Sequence, residues 1–307
     1  MKKFVMLVLT LGLISILAGL IIIRYEDVKT LINTYLFINP DVKLESKNEY
    51  YRDEDFEFVQ NTDNFSPKNS QDILNIYYTV LNSGEEKFYF YCPKEYESCL
   101  NDVNFLANDQ AKLSDINNYV HPFNSFSHIE TEYDSLGRVE VRIKHVYKSD
   151  DIKLINEEVD KIYNKVYDSK KTDVENVRAF HDYIINNSKY DSDRSDKNIV
   201  NYRSDTAYGP LFEGYAICGG YTDLMQLFLE KLNIKSFRIS SEDHIWNALY
   251  INNKWNHLDL TWDDPVASDG KDYLQHEYFL INTKKLLSIE KTQHDFDQNV
   301  YSELKEA

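Results

Sequence analysis

The chain has 307 residues, 42% of them hydrophobic, with 24 tyrosines and 16 phenylalanines, enough for one sizeable core and a smaller unit beside it. It carries 34 basic and 51 acidic side chains, a formal net charge of −17. Such a surface repels a phosphate backbone, so no nucleic acid is expected as a partner.

Lys2 and Lys3 precede an apolar run from Phe4 to Ile23. In a helix a run of this length spans about 30 Å, the thickness of a bilayer's hydrocarbon core. The run passes straight from Ile23 into Arg24, with no small-residue cleavage site and no following cysteine for a lipid. An uncleaved signal anchor over residues 1–24 is therefore expected, in preference to a cleaved leader and a secreted chain. The positive flank puts the N-terminus inside, giving a single-pass membrane protein with its C-terminal part extracytoplasmic. Residues 25–70 read as a juxtamembrane segment ending near Pro40, then a polar linker poor in aliphatic residues.

Residues 71–150 read as a small α+β domain. Ile73–Leu81 and Lys87–Cys92 are strand-like around Asn82-Ser83-Gly84-Glu85, Glu97–Val120 has helical spacing, and Ser127–Tyr133 and Val139–Tyr147 flank a second turn. His121, His128 and His145 lack metal-ligand spacing, so nothing in this part carries chemistry. Cys92 and Cys99 are close enough in sequence to bridge outside the cell, which leaves Cys218 as the odd, reactive thiol.

The last domain, residues 151–307, opens with helices over Ile152–Tyr167 and Asp173–Asn186, the second carrying His181 as a structural histidine. Asp191–Asp205 reads as a polar loop leading through Tyr208 to Cys218. Apolar residues at Tyr221, Leu224, Met225, Phe228, Leu229 and Leu232 predict a helix whose N-terminus carries Cys218, Gly219 and Gly220. A helix N-terminus favours a thiolate. His244–Ile251 and Lys254–Leu260 predict two strands joined by a type I′ turn at Asn252-Asn253. In that register Trp246 faces Asp259, Thr261 faces His244, and His244 and Asp259 share a face within hydrogen-bonding reach. The three side chains have the nucleophile, base and orienter roles of covalent catalysis. A His244/His257/Asp259 metal site is the weaker alternative, since it leaves the thiol unexplained.

The stretches GYAICGGY, DHIWNALYINNKW and HLDLTWDDP resemble the three sequence blocks of the transglutaminase-like superfamily, in its bacterial exported branch. The resemblance covers roughly the last half of the chain and extends upstream through VRAFHDYIINNSKYD and AYGPLFEGYA; Asn256 departs from it, where an aromatic is common. It implies a papain-like fold in which a helix bearing the cysteine packs on an antiparallel sheet bearing histidine and aspartate. It also implies that Cys218, His244 and Asp259 are the catalytic residues. Gly219, Gly220, Tyr208, Trp246 and Trp262 are expected at the oxyanion site and cleft, the glycines admitting substrate to the backbone. The implied reaction is acyl transfer on amide bonds of a protein or peptide at the cell surface, with hydrolysis favoured over transamidation. A catalytically silent binding module of the same fold is the alternative. No calcium-loop pattern is present, so neither metal nor cofactor is expected.

Overall fold

The computed structural model describes residues 42–266 and 273–305, with a few isolated positions between 12 and 27. Almost all of the predicted anchor, and the juxtamembrane residues 28–41, lie outside the described residues. Among the described residues no helix is long and apolar enough to cross a membrane.

The first helix corrects the sequence reading. Residues Ser70–Ser83 form α1, not a strand. Ile73, Ile76, Tyr77 and Val80 are buried at helical spacing, and their β-branched and aromatic character masks that period in the sequence. Asn69 caps the N-terminus by accepting from the Asp72 N–H, and Gly84 ends the helix at φ 78°. The expected Asn82–Glu85 turn is this C-cap. Next come β1 (Lys87–Tyr91), α2 (Cys99–Asn108) and α3 (Gln110–Asn118). The single helix expected over 97–120 breaks at Asp109, whose side chain caps α3 by accepting from the Lys112 N–H. Strands β2 (Phe126–Tyr133) and β3 (Arg138–His145) complete an antiparallel sheet of order β1-β3-β2.

The second half contains α4 (Ser149–Val166), α5 (Asp173–Asn187), the short α6 (Ser192–Lys197) inside the expected polar loop, and α7 (Cys218–Lys231). Strands β6 (Ser236–Ser240), β7 (Ile245–Ile251), β8 (Lys254–Leu258) and β9 (Phe279–Ile281) form an antiparallel sheet in that order. Two-residue strands β4 (Lys189–Tyr190) and β5 (Tyr215–Ala216) pair in parallel ahead of α7. A one-turn helix α8 (Leu260–Asp263) follows β8, and α9 (Thr283–Ile289) follows β9.

The four-stranded sheet is buried on both faces. Phe237, Ile239, Trp246 and Ala248 join the core built on α1, α2, α3 and the first sheet. Leu249, Ile251 and Leu258 join the core of α4, α5 and α7. The predicted boundary at 150/151 therefore does not separate two cores. Nor are the described residues 42–70 of the expected linker a loose stalk: Phe56, Val59 and Phe65 are core residues, and buried Arg52 donates to the Tyr119 carbonyl at 3.0 Å and pairs with Glu230 at 3.0 Å. Buried Arg238 adds a second tie, to Asp223 on α7 at 2.8 Å and to Ser125 at 2.8 Å. A disulfide joins Cys92 to Cys99, and Cys218 is free.

Candidate active site

Cys218 is the first residue of α7 and half-buried. Ile217 ahead of it is extended (φ −107°, ψ −177°) and offers no capping side chain, so first-turn N–H groups point toward the thiol end of the helix. The 203–208 loop holds this entry in place. The Ile217 N–H donates to the Ser204 carbonyl at 2.8 Å, and the Tyr147 hydroxyl accepts from the Ala207 N–H at 2.8 Å. The glycines have a packing reason of their own. A Cβ on Gly220 would lie 2.3 Å from the Ser204 carbonyl oxygen, and one on Gly219 2.8 Å from that of Asp205. The protein's own backbone comes close there.

Asn252 (φ 55°) and Asn253 (φ 61°) form the turn between β7 and β8, with Ile251 opposite Lys254 and Tyr250 opposite Trp255. The ladder ends at Asn247 opposite Leu258, so Thr261 does not face His244. Instead the chain leaves the sheet at Asp259, whose Oδ1 caps α8 by accepting from the N–H groups of Thr261 (2.9 Å) and Trp262 (3.3 Å). Asp259 Oδ2 faces back to His244 Nε2 at 2.6 Å, both side chains buried. Cys218 lies close enough to His244 to favour a charge on its imidazole.

Burial opposes a charge on His244, but Asp259 and then Cys218 outweigh it, and the imidazole's pKa is raised to about 10. Burial likewise opposes the Asp259 carboxylate, while His244 and His294 hold its pKa well below the usual range. The Trp246 ring lies nearly parallel to His244, at 5.5 Å and 16°, a stacking that suits an imidazolium.

His257 is not part of this cluster. Its Nδ1 accepts from Trp246 Nε1 at 3.0 Å, and its Nε2 donates to Thr283 Oγ1 at 2.9 Å, since that hydroxyl donates onward to the Leu304 carbonyl. Burial and nearby His294 lower its pKa to about 3, so it stays neutral, with both nitrogens engaged. The expected alternative metal site therefore has no geometry to support it.

His294 was missed. Its Nε2 lies 2.9 Å from Asp259 Oδ2 and its Nδ1 3.1 Å from Glu290 Oε2. Nothing in the tail sequence KTQHDFDQ signals that role; only the fold brings it to Asp259 across 35 positions. Trp262 packs beside it, 5.7 Å from His294 and 5.4 Å from Tyr278. Tyr208 packs on Phe212 at 4.7 Å and lies under the Arg203 guanidinium at 4.0 Å. Tyr190, also missed, interacts electrostatically with Cys218.

Residues 160–260 match the model of the transglutaminase-like superfamily, a span that holds Cys218, His244 and Asp259 together. This segment is a transglutaminase-like domain. Two solved structures resemble the chain in part. One is a TGase at 12% identity, covering 48% of this chain and 48% of that one, with a TM-score of 0.34. The other, a "Putative Cysteine Protease from Cytophaga hutchinsonii", has 16% identity, 44% and 61% coverage, and a TM-score of 0.28. The chain thus spans about half the length of the first and 61% of the second. No curated protein matches it. The match ends at 260, so all of α8 but its first residue, together with β9 and the His294 segment, lies beyond it.

Proposed function

We propose that the chain is an extracytoplasmic cysteine enzyme that cleaves amide bonds in protein or peptide substrates, anchored to the membrane by its N-terminal apolar run. The observation that carries the reading is the buried His244–Asp259 pair at 2.6 Å, charged at neutral pH, facing a free cysteine at a helix N-terminus. Cys218 as thiolate attacks the substrate carbonyl, and N–H groups of the first turn of α7 receive the oxyanion. His244 gives its proton to the leaving amine, which departs and leaves a thioester on Cys218. Water, giving a proton to His244, then attacks the thioester; the acid leaves and the thiolate–imidazolium pair is restored. Asp259 holds the ring by Nε2 throughout.

Hydrolysis is favoured over transfer to an amine, because the thioester faces water and no amine-acceptor site is recognisable among the described residues. The test is to supply glutamine-containing peptides with a labelled primary amine and to follow ammonia or peptide release beside amine incorporation. The proposal expects release without incorporation, absent in Cys218→Ala. No turnover of any amide by a protein whose Cys218 alkylates like a free thiol would leave a silent binding module.

A further inference from the structure

A second histidine–carboxylate cluster lies where α5 meets the chain entering β9. His181 Nδ1 is 2.9 Å from Asp182 Oδ1, and His276 Nε2 is 2.7 Å from the same oxygen. The ligand-type atoms of these three residues all fall within 4.8 Å of one another. The other nitrogen of His181 faces Asp263 Oδ2 at 3.2 Å, both side chains fully buried.

We propose that His181, Asp182 and His276 bind a divalent first-row transition metal. Two imidazoles and one carboxylate suit zinc and its neighbours rather than magnesium or calcium, which prefer oxygen alone. Tetrahedral bonds of about 2.0–2.1 Å separate neighbouring ligand atoms by about 3.3 Å. The two N···O distances of 2.9 and 2.7 Å need open by only about half an ångström to admit the ion. Each short pair shares one proton, and the metal displaces both, that of His181 Nδ1 to solvent and that of His276 Nε2 to the ring's own Nδ1. Asp263 keeps the Nε2 proton of His181 and fixes the ring, the carboxylate–histidine–metal arrangement that orients a ligand. Asp182 and His276 are half-buried, so the remaining coordination positions open outward to water.

Arg178 opposes the metal. Its guanidinium lies 3.3 Å from His276 Nδ1 and 3.9 Å from Asp182 Oδ2. When Nε2 of His276 holds the ion, Nδ1 must carry a proton, and the half-exposed guanidinium must swing away. The site also bears on the Asp259 turn. Asp263 closes α8, its carbonyl accepts from the Gln275 N–H at 2.8 Å and its Oδ1 from the Tyr278 N–H at 3.0 Å. A metal on His276 would fasten that segment to α5.

Calorimetric titration of the full chain with zinc chloride tests the proposal, with circular dichroism to verify folding. One zinc per chain at micromolar affinity or tighter is expected. His276→Ala and Asp182→Asn should weaken it by at least about 10–100-fold, and Arg178→Ala should tighten it severalfold. His276 is a half-buried loop residue, so His276→Ala serves alone if Asp182→Asn does not fold. Absence of binding at millimolar zinc overturns the proposal. So does binding that survives His276→Ala, above all if His294→Ala abolishes it, which would put the metal on the Asp259 cluster.

Discussion

At Asp259 one carboxylate serves four donors: His244, His294 and the N–H groups of Thr261 and Trp262. It is therefore both the orienter of the base and the cap of the turn that presents it. Asp259→Asn should cost about 3–5 kcal/mol by chemical denaturation, the penalty for breaking a buried ion pair. It should also lower the alkylation rate of Cys218 at neutral pH. His294→Gln should be milder, a loss near 10-fold in turnover, equivalent to the ~1.5 kcal/mol of one charge-assisted hydrogen bond. The raised pKa of His244 has a defined pH signature. Its stabilisation is fully present below its ordinary value of 6.5 and is lost as pH rises toward about 10. Urea midpoints taken across that window should fall in the wild type and lie flatter in His244→Gln. Cys218, His244 and Asp259 could be read from the sequence because each sits in a local pattern of strand, turn or helix start. His294 could not, because it reaches Asp259 only through the path of the tail.

At the scale of elements, the hairpin was legible and α1 was not. Two adjacent asparagines between alternating strands leave one favoured turn, and Asn252 and Asn253 adopt it with positive φ. In Ser70–Ser83 local composition pointed to a strand, and because the helix is buried nearly all round from Ile73 to Ser83, no one-sided apolar stripe marks it in the sequence. The expected hairpin failed beyond Leu258 because an aspartate that caps a helix ends the strand more firmly than alternation extends it. Gly220 makes a sharp test of how α7 is held. The Cβ of Gly220→Ala meets backbone, which cannot rotate away, so a loss of about 1–3 kcal/mol is expected by denaturation. Equal stability would mean that the 203–208 loop yields freely.

Over the whole molecule, the central sheet lies between two cores, and the segment before α1 belongs to one of them. Composition alone suggested separate units, because sequence shows which residues are apolar but not which distant partner covers them. The Cys92–Cys99 bridge, closing a loop at a separation of 7, braces the core that backs Trp246. Its removal by Cys92→Ser with Cys99→Ser should cost about 2–3 kcal/mol on loop-entropy grounds. Because that core is shared with the sheet, reduction should destabilise the Cys218 site as well, seen as a common melting transition for far-ultraviolet circular dichroism and Cys218 protection.

The most direct measurement is the pH dependence of Cys218 alkylation by iodoacetamide, in the wild type beside His244→Ala. Fast reaction persisting well below neutral pH, and lost in the mutant, is the predicted result. A thiol that reacts only as pH approaches the ~8.5 of free cysteine, indifferent to His244, would contradict a Cys218–His244 catalytic pair.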